Sequence, residues 1–258
     1  MFRRPVAALS CVVLLALAVP AAATTVTTTL SQTVSGNTFG DYGRTNVTIS
    51  NGTSQTVIAG AFDVTSSVSL PDLGTRFAAW CLDIDRALKL GTQYATTTNP
   101  FSVDLLTLTQ RRAIQTLFNI ALGRDILRNA PTTNADPVAD ANSAGFQLAL
   151  WEVVNETGTT YAVNGVNGGS FKVTSNSAAS NAAEGVANDL LGQIKDWTQP
   201  NRVRLTFLES QDTKPRDGVR DSQNLVAFAP VPVPAAGALL LAALAGLGLA
   251  RRRQVRNT

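Results

Sequence analysis

The chain predicts an α+β fold: an antiparallel β sheet or barrel framework with inserted helices, flanked by a signal peptide and a C-terminal transmembrane sorting helix. Three observations carry this expectation. Thr-, Val- and Ser-rich alternation fills residues 24–97, apolar residues at helical spacing recur between 109 and 197, and strand-like alternation returns from 202. Strands first, helices inserted and strands last favour an antiparallel framework over an alternating parallel one. Both chain ends add apolar runs free of charge and bordered by arginines.

The elements follow in order. Residues 46–50 and 56–64 read as strands separated by the turn-forming pair Asn51-Gly52. Residues 76–84 continue as an apolar strand and 91–97 as another. Thr109 is the expected N-cap of a first helix in which Ala113, Ile114, Leu117, Phe118 and Ala121 share a face, with Gly123 as its stop. The polar stretch 129–142, with Pro131 and Pro137, reads as a loop. A second helix is expected after Asp140 or Ser143, presenting Phe146, Ala149, Leu150 and Val153 at helical spacing. Asn164-Gly165 and Asn167-Gly168-Gly169 mark a turn region. A third helix over 181–197 lines up Val186, Leu190, Leu191, Ile194 and Trp197, and strands are expected at 202–208 and 224–228.

The ends carry addresses. Arg3 and Arg4 precede the apolar core 7–19, and Pro20-Ala21-Ala22-Ala23 offers a small-residue cleavage site before Thr24. Residues 1–23 therefore read as a signal peptide, with which Cys11 departs, and 24–229 as one exported α+β domain. At the other end, Pro230 to Pro234 stiffen the chain, residues 235–250 lack any charge, and Arg251-Arg252-Arg253 follow at once. With the preceding Val and Pro residues the run approaches the roughly 20 residues that span a bilayer as a helix. The arginines fix its C-terminal end on the cytoplasmic side.

The motif Val231-Pro232-Val233-Pro234-Ala235, its apolar run and its arginine cluster resemble the VPLPA-CTERM tail, a relative of the PEP-CTERM sorting signals, with Val233 where that motif has Leu. The resemblance covers residues 230–258. It implies an exosortase-type processing enzyme as a partner, transient anchoring in the membrane, and delivery to the cell surface or extracellular matrix. It concerns an address and not an activity.

Composition narrows the chemistry. The formal charge is +3, from 21 basic and 18 acidic residues. Arg3, Arg4, Arg251, Arg252, Arg253 and Arg256 all lie in the targeting ends, where there is no Asp or Glu. Removing these six leaves 15 basic against 18 acidic residues, a net of −3 for the exported domain. Such a balance gives no reason to expect a nucleic-acid partner. Histidine is absent, which excludes His-based triads and His metal ligands. One cysteine in the exported chain excludes an intramolecular disulfide. No cofactor and no metal site is expected. The 212–221 loop has aspartates but lacks the ordered ligand pattern of an EF-hand loop.

Two short stretches stand out. Phe77-Ala78-Ala79-Trp80-Cys81-Leu82-Asp83 sets the exported cysteine in an apolar strand, and Phe146-Gln147-Leu148-Ala149-Leu150-Trp151-Glu152 places a glutamine on an amphipathic helix. A thiol and a side-chain amide can condense, with loss of ammonia, to an internal thioester, provided water is scarce where they meet. A Cys followed by an aliphatic residue and Asp, then a helix, then Gln-x-Ala-Leu-Trp, resembles the bacterial thioester domain of surface adhesins. The resemblance spans residues 77–151. Phe146 stands where that family has Thr, and Trp80 where Tyr is frequent. It implies Cys81 and Gln147 as the thioester-forming pair, with Trp80, Asp83, Ala149 and Trp151 as motif companions.

The leading expectation is thus a surface or extracellular-matrix protein that links covalently to a surface nucleophile through a bond consumed in one turnover, which is not enzyme catalysis. The alternative is a structural or polysaccharide-binding matrix component without a reactive thioester, for which exposed aromatics near Tyr161 and Phe171 would speak. A hydrolase is the third reading. It would need a carboxylate pair, and Asp83 with Asp85, or Glu152 with Glu156, more naturally read as solvated charges.

Overall fold

The computed structural model describes residues 25–33, 37–40, 42–97, 106–128, 136–156, 158–165, 169–211 and 222–231. The residues expected to form a signal peptide (1–23), residues 212–221, and the expected sorting segment beyond Val231 lie outside the described residues. Among the described residues no helix is long and apolar enough to cross a membrane.

The fold is α+β, with every described strand pair antiparallel. A closed barrel has the order β1 (Thr27–Gln32), β4 (Phe62–Leu70), β5 (Gly74–Cys81), β9 (Leu225–Pro230), β8 (Val203–Ser210), β6 (Gln93–Thr97). A second sheet has the order β3 (Thr53–Gly60), β2 (Arg44–Asn51), β7 (Phe171–Val173). Helices α1 (Leu108–Gly123) and α2 (Pro137–Asn155) enter between β6 and β7, and α3 (Ala178–Gly192) between β7 and β8.

Several boundaries differ from the sequence reading, each for a local reason. The strand expected over 56–64 is two strands, β3 and β4, that belong to different sheets. Gly60 breaks it with φ 156°, and a Cβ there would lie 2.6 Å from the Gly43 carbonyl oxygen. The strand expected over 76–84 ends at Cys81, so Asp83 and Asp85 sit in the loop beyond it rather than on a strand face. Thr107, not Thr109, caps α1: its Oγ1 accepts the Gln110 N–H at 3.2 Å while Gln110 Oε1 accepts the Thr107 N–H at 2.8 Å.

Helix α2 begins within the expected loop, because Asp136 accepts the Val138 N–H and Pro137 takes the first helical position, where no donor is required. The expected caps then have other partners. Asp140 Oδ1 accepts the Arg44 N–H at 2.9 Å, and Ser143 Oγ accepts the Ala61 N–H at 3.0 Å, which holds the break between β3 and β4. Helix α3 starts at a Ser177 cap and ends at Gly192, five residues short of Trp197, although Ile194 and Trp197 still pack on the core. The three-residue β7 was not foreseen.

Helix α2 is the centre of the molecule. It packs on α1, α3, β2, β3 and β5, and is buried on nearly every side. Gly145 lets α3 approach: a Cβ there would fall 2.6 Å from the Ala183 carbonyl oxygen and from Val186 Cβ. Barrel and helices are joined by aromatics. Trp80 on β5 meets Phe118 at 5.6 Å, Phe146 at 5.2 Å and Phe228 at 5.9 Å between ring centroids, largely edge-on or tilted. Rings at these spacings add to the stability from burial alone.

Candidate functional site

Cys81 is the last residue of β5, where it pairs with Leu225 of β9, and the strand stops against α2. Helix α2 projects Gln147 at that end. The Gln147 amide makes two hydrogen bonds to the Cys81 main chain: Oε1 accepts the Cys81 N–H at 2.9 Å, and Nε2 donates to the Cys81 carbonyl at 2.8 Å. A side-chain amide here acts as one more strand partner, satisfying two buried backbone groups that would otherwise cost free energy. Gln147 is 1% exposed.

The thiol itself points elsewhere. Cys81 Sγ lies 2.5 Å from Gln223 Oε1 and 2.8 Å from the Asp83 carbonyl oxygen, so its single proton has two acceptors within reach. A carbonyl bond of about 1.23 Å places Gln223 Cδ no farther than about 3.7 Å from the sulfur. Sequence reasoning paired Cys81 with Gln147. The structure brings those two together, but through the Cys81 backbone, and the amide that meets the sulfur is Gln223. Both ends of the Gln147 amide are engaged by the Cys81 main chain.

Gln223 is held by its neighbours in the segment that leads into β9. Ser222 Oγ accepts the Lys89 N–H at 2.9 Å and lies 2.7 Å from Tyr94 Oη, which also donates to the Gln223 carbonyl at 3.2 Å. The Asn224 N–H donates to Asp83 Oδ2 at 2.7 Å, the Leu82 N–H donates to the Asn224 carbonyl at 2.9 Å, and Asn224 Oδ1 accepts the Ser210 N–H at 3.0 Å. All three residues are buried. The only hint in the sequence is a polar Ser222-Gln223-Asn224 run directly before an apolar strand, a feature shared by many strand entries.

Burial drives the Cys81 pKa far above its ordinary value, and the Asp83 carboxylate adds to the rise. The Trp151 indole N–H and the Asp83 backbone act in the opposite direction. Trp151 Nε1 makes no hydrogen bond of ordinary geometry, but it lies near enough to the thiol to favour negative charge on sulfur. Cys81 is therefore a neutral thiol at ordinary pH and not a free thiolate. A cleft of about 400 Å³ opens over this group, and Cys81, Gln147, Gln223, Trp151 and Asp83 all contribute to its lining.

The remaining companions have structural places. Trp80 belongs to the aromatic cluster that joins barrel to helices, and Ala149 is fully buried in α2. Glu152 is not the solvated charge its sequence position suggested: it is 1% exposed, its Oε1 accepts the Ala162 N–H at 2.8 Å, and its Oε2 has no hydrogen-bond partner among the described residues. Desolvation pushes its pKa up to about 7. Glu156 Oε1 accepts the Phe171 N–H at 2.9 Å, so these two carboxylates hold the Ala162 and Phe171 main chain instead of forming a dyad. Tyr161 and Phe171 are buried, so these two rings offer no exposed face to a sugar. Among the described residues no cluster of three Cys, Asp or Glu side chains could hold a metal ion.

The chain matches no protein-family model and no curated protein. Among solved structures it is similar to the N-terminal domain of the Streptococcus pyogenes pilus tip adhesin Cpa, at 13% identity and a TM-score of 0.36, over 67% of this chain and 85% of that one. It is likewise similar to the N-terminal thioester domain of fibronectin-binding protein SfbI from Streptococcus pyogenes, at 13% identity and a TM-score of 0.39, over 74% of this chain and 95% of that one. Identities and scores at this level carry no functional argument.

Proposed function

We propose that this chain is an exported surface or extracellular-matrix protein that forms an internal thioester between Cys81 and Gln223 and spends it in covalent attachment to a partner. One observation carries the reading: the exported domain's cysteine sulfur lies 2.5 Å from a buried glutamine side-chain oxygen at the foot of an open cleft. Formation is an acyl transfer within the chain. Sγ attacks Gln223 Cδ, the C–N bond breaks, and the amide nitrogen leaves as ammonia, taking the thiol proton. The product has no charge, which suits a site where burial penalises the thiolate. The surrounding side chains limit water, and with it hydrolysis.

Attachment reverses the roles. An amine or hydroxyl of the partner attacks Gln223 Cδ, the C–S bond breaks, and the attacking group's proton passes to sulfur. Partner and protein are then joined by an amide or ester, and Cys81 is again a thiol. Each molecule acts once, so the protein is a reagent and not an enzyme. Gln147 and Trp151 are positioning residues in this scheme, the first holding the Cys81 main chain and the second facing its sulfur.

The two targeting ends supply the place of action. A signal peptide over 1–23 and a sorting segment over 230–258 take the domain across the inner membrane, anchor it at its C-terminus, and pass it to an exosortase-type enzyme for release to the surface or matrix. The nucleophile then belongs to an extracellular polysaccharide or a surface protein.

Intact mass tests the bond. Protein purified without added amines is expected to be lighter than its sequence by one ammonia, and the deficit disappears in Cys81→Ala and in Gln223→Ala. An unmodified mass in the parent chain, or a deficit that survives Gln223→Ala, overturns the assignment.

A further inference from the structure

The barrel is closed and has no edge, whereas the second sheet has two. One is β7, which is three residues long with Lys172 at its centre. A short strand with a lysine is the ordinary way to blunt an edge against further pairing. The other is β3, eight residues long, with β2 along one side and, among the described residues, no strand along the other. Thr53–Gly60 contains no charge and no proline. Nothing in it discourages another strand.

The cleft above Cys81 follows this open side. Gln55 and Val57 line it, and so do Ile58 and Gly60. Odd and even positions of a strand project to opposite faces, so a cavity touched by both follows the strand's edge and does not cross one of its faces. Across the cleft stands the loop beyond Cys81, tied to β3 where Gln55 Nε2 donates to the Ile84 carbonyl at 3.4 Å. Cys81 and Gln223 line the same cavity.

We infer that β3 receives a partner polypeptide in extended form, as an added strand that carries a lysine to the Cys81–Gln223 bond. This rests on the thioester reading and narrows the partner from any surface nucleophile to a polypeptide. An open edge presents N–H and C=O groups at strand spacing, which another peptide backbone matches and a sugar chain does not. The charged side chains lining the cleft are Asp83, Asp85 and Arg86, an acidic balance that complements an ammonium group. Once the ammonium has released one proton to solvent, the neutral lysine Nζ attacks Gln223 Cδ, the C–S bond breaks, and one proton of the attacking amine moves to sulfur, leaving an isopeptide bond.

Three probes separate this from the reading beneath it, all applied to the full chain. Methylamine reports the thioester alone. A twelve-residue peptide of alternating Thr and Val with one central Lys reports docking, and its counterpart with proline at alternate positions cannot pair. The pairing peptide is expected to form adduct at least about tenfold faster than the proline peptide, with methylamine incorporation as a common reference. In Cys81→Ala, which cannot form the bond, the pairing peptide should slow amide hydrogen exchange at 53–60, and Thr56→Lys, on β3 but outside the cleft lining, should weaken that protection without changing methylamine incorporation. Equal rates for the two peptides with no protection at 53–60 overturn the proposal while methylamine still incorporates. If methylamine does not incorporate, the thioester reading fails, and protection in Cys81→Ala alone then decides whether β3 docks a strand.

Discussion

Helix α2 and the segment entering β9 both reach Cys81, the first through Gln147 and the second through Gln223. Gln147 is part of a helix packed on α1, α3 and strands of both sheets, and its amide is bonded at both ends to the Cys81 main chain. Gln223 comes from a short polar segment fixed by Ser222, Tyr94, Asp83 and Ser210, and its oxygen meets the sulfur. The difference matches the roles proposed for the two residues, holding for Gln147 and reacting for Gln223. A group that must keep a strand end in register needs both its donor and its acceptor engaged, whereas a group that is to be attacked must show its carbonyl carbon to the nucleophile.

The largest expected effect breaks the symmetry between the two glutamines. After treatment with methylamine, peptide mapping should find the methylamide wholly at position 223, with none at 147; label at 147 would reverse the two roles. Next comes stability. Gln147→Leu leaves the Cys81 N–H and C=O buried without partners, at about 1–3 kcal/mol for each, and urea denaturation should show a loss on the order of 2–4 kcal/mol. Gln223→Leu, which removes no backbone partner, should cost clearly less. Similar losses in both would mean that Gln147 is no more structural than Gln223.

A smaller effect concerns charge on the same helix. Glu152 has a folded pKa near 7 against an ordinary carboxylate value near 4.5. The folded state thus binds more protons than the unfolded state between those values, so stability falls as pH rises from about 4.5 to 7. Glu152→Gln should flatten that slope, a change on the order of 1 kcal/mol, or about 2–4 °C in Tm for a domain of this size. A melting profile of unchanged slope would show that Glu152 is ionised across the whole range. The smallest effect belongs to Trp151→Phe, which removes the indole N–H beside the sulfur. Thioester formation, followed by ammonia release, should slow by a few-fold, equivalent to less than about 1 kcal/mol, with the fold intact.

Much of the framework was legible because it is encoded locally. The helical spacing of Ala113, Ile114, Leu117 and Phe118 marks α1, and the alternation after Arg202 marks β8. The misread boundaries lie where one residue serves a distant partner. Ser143 looks like a helix cap but holds the break between β3 and β4, and Asp140 looks like one but holds the start of β2. Glu152 and Glu156 look like surface charges because their spacing along a helix is visible, while the 161–171 region that covers them is not. Cys81 was legible as the one thiol of residues 24–229, and Gln147 as a member of a motif. Gln223 was not, because nothing within its own few neighbours distinguishes it.

Composition and local pattern by themselves determined that residues 24–229 hold one thiol and no histidine, are mildly acidic, and form strands around inserted helices. These are properties of residue type and of periods only a few residues long. Which glutamine meets the thiol was decided by tertiary structure alone. Cys81 and Gln223 are 142 positions apart and come together because β5 and β9 pair as the barrel closes. Proximity of that kind depends on strand order and register, and neither is written in the spacing of the residues that depend on it.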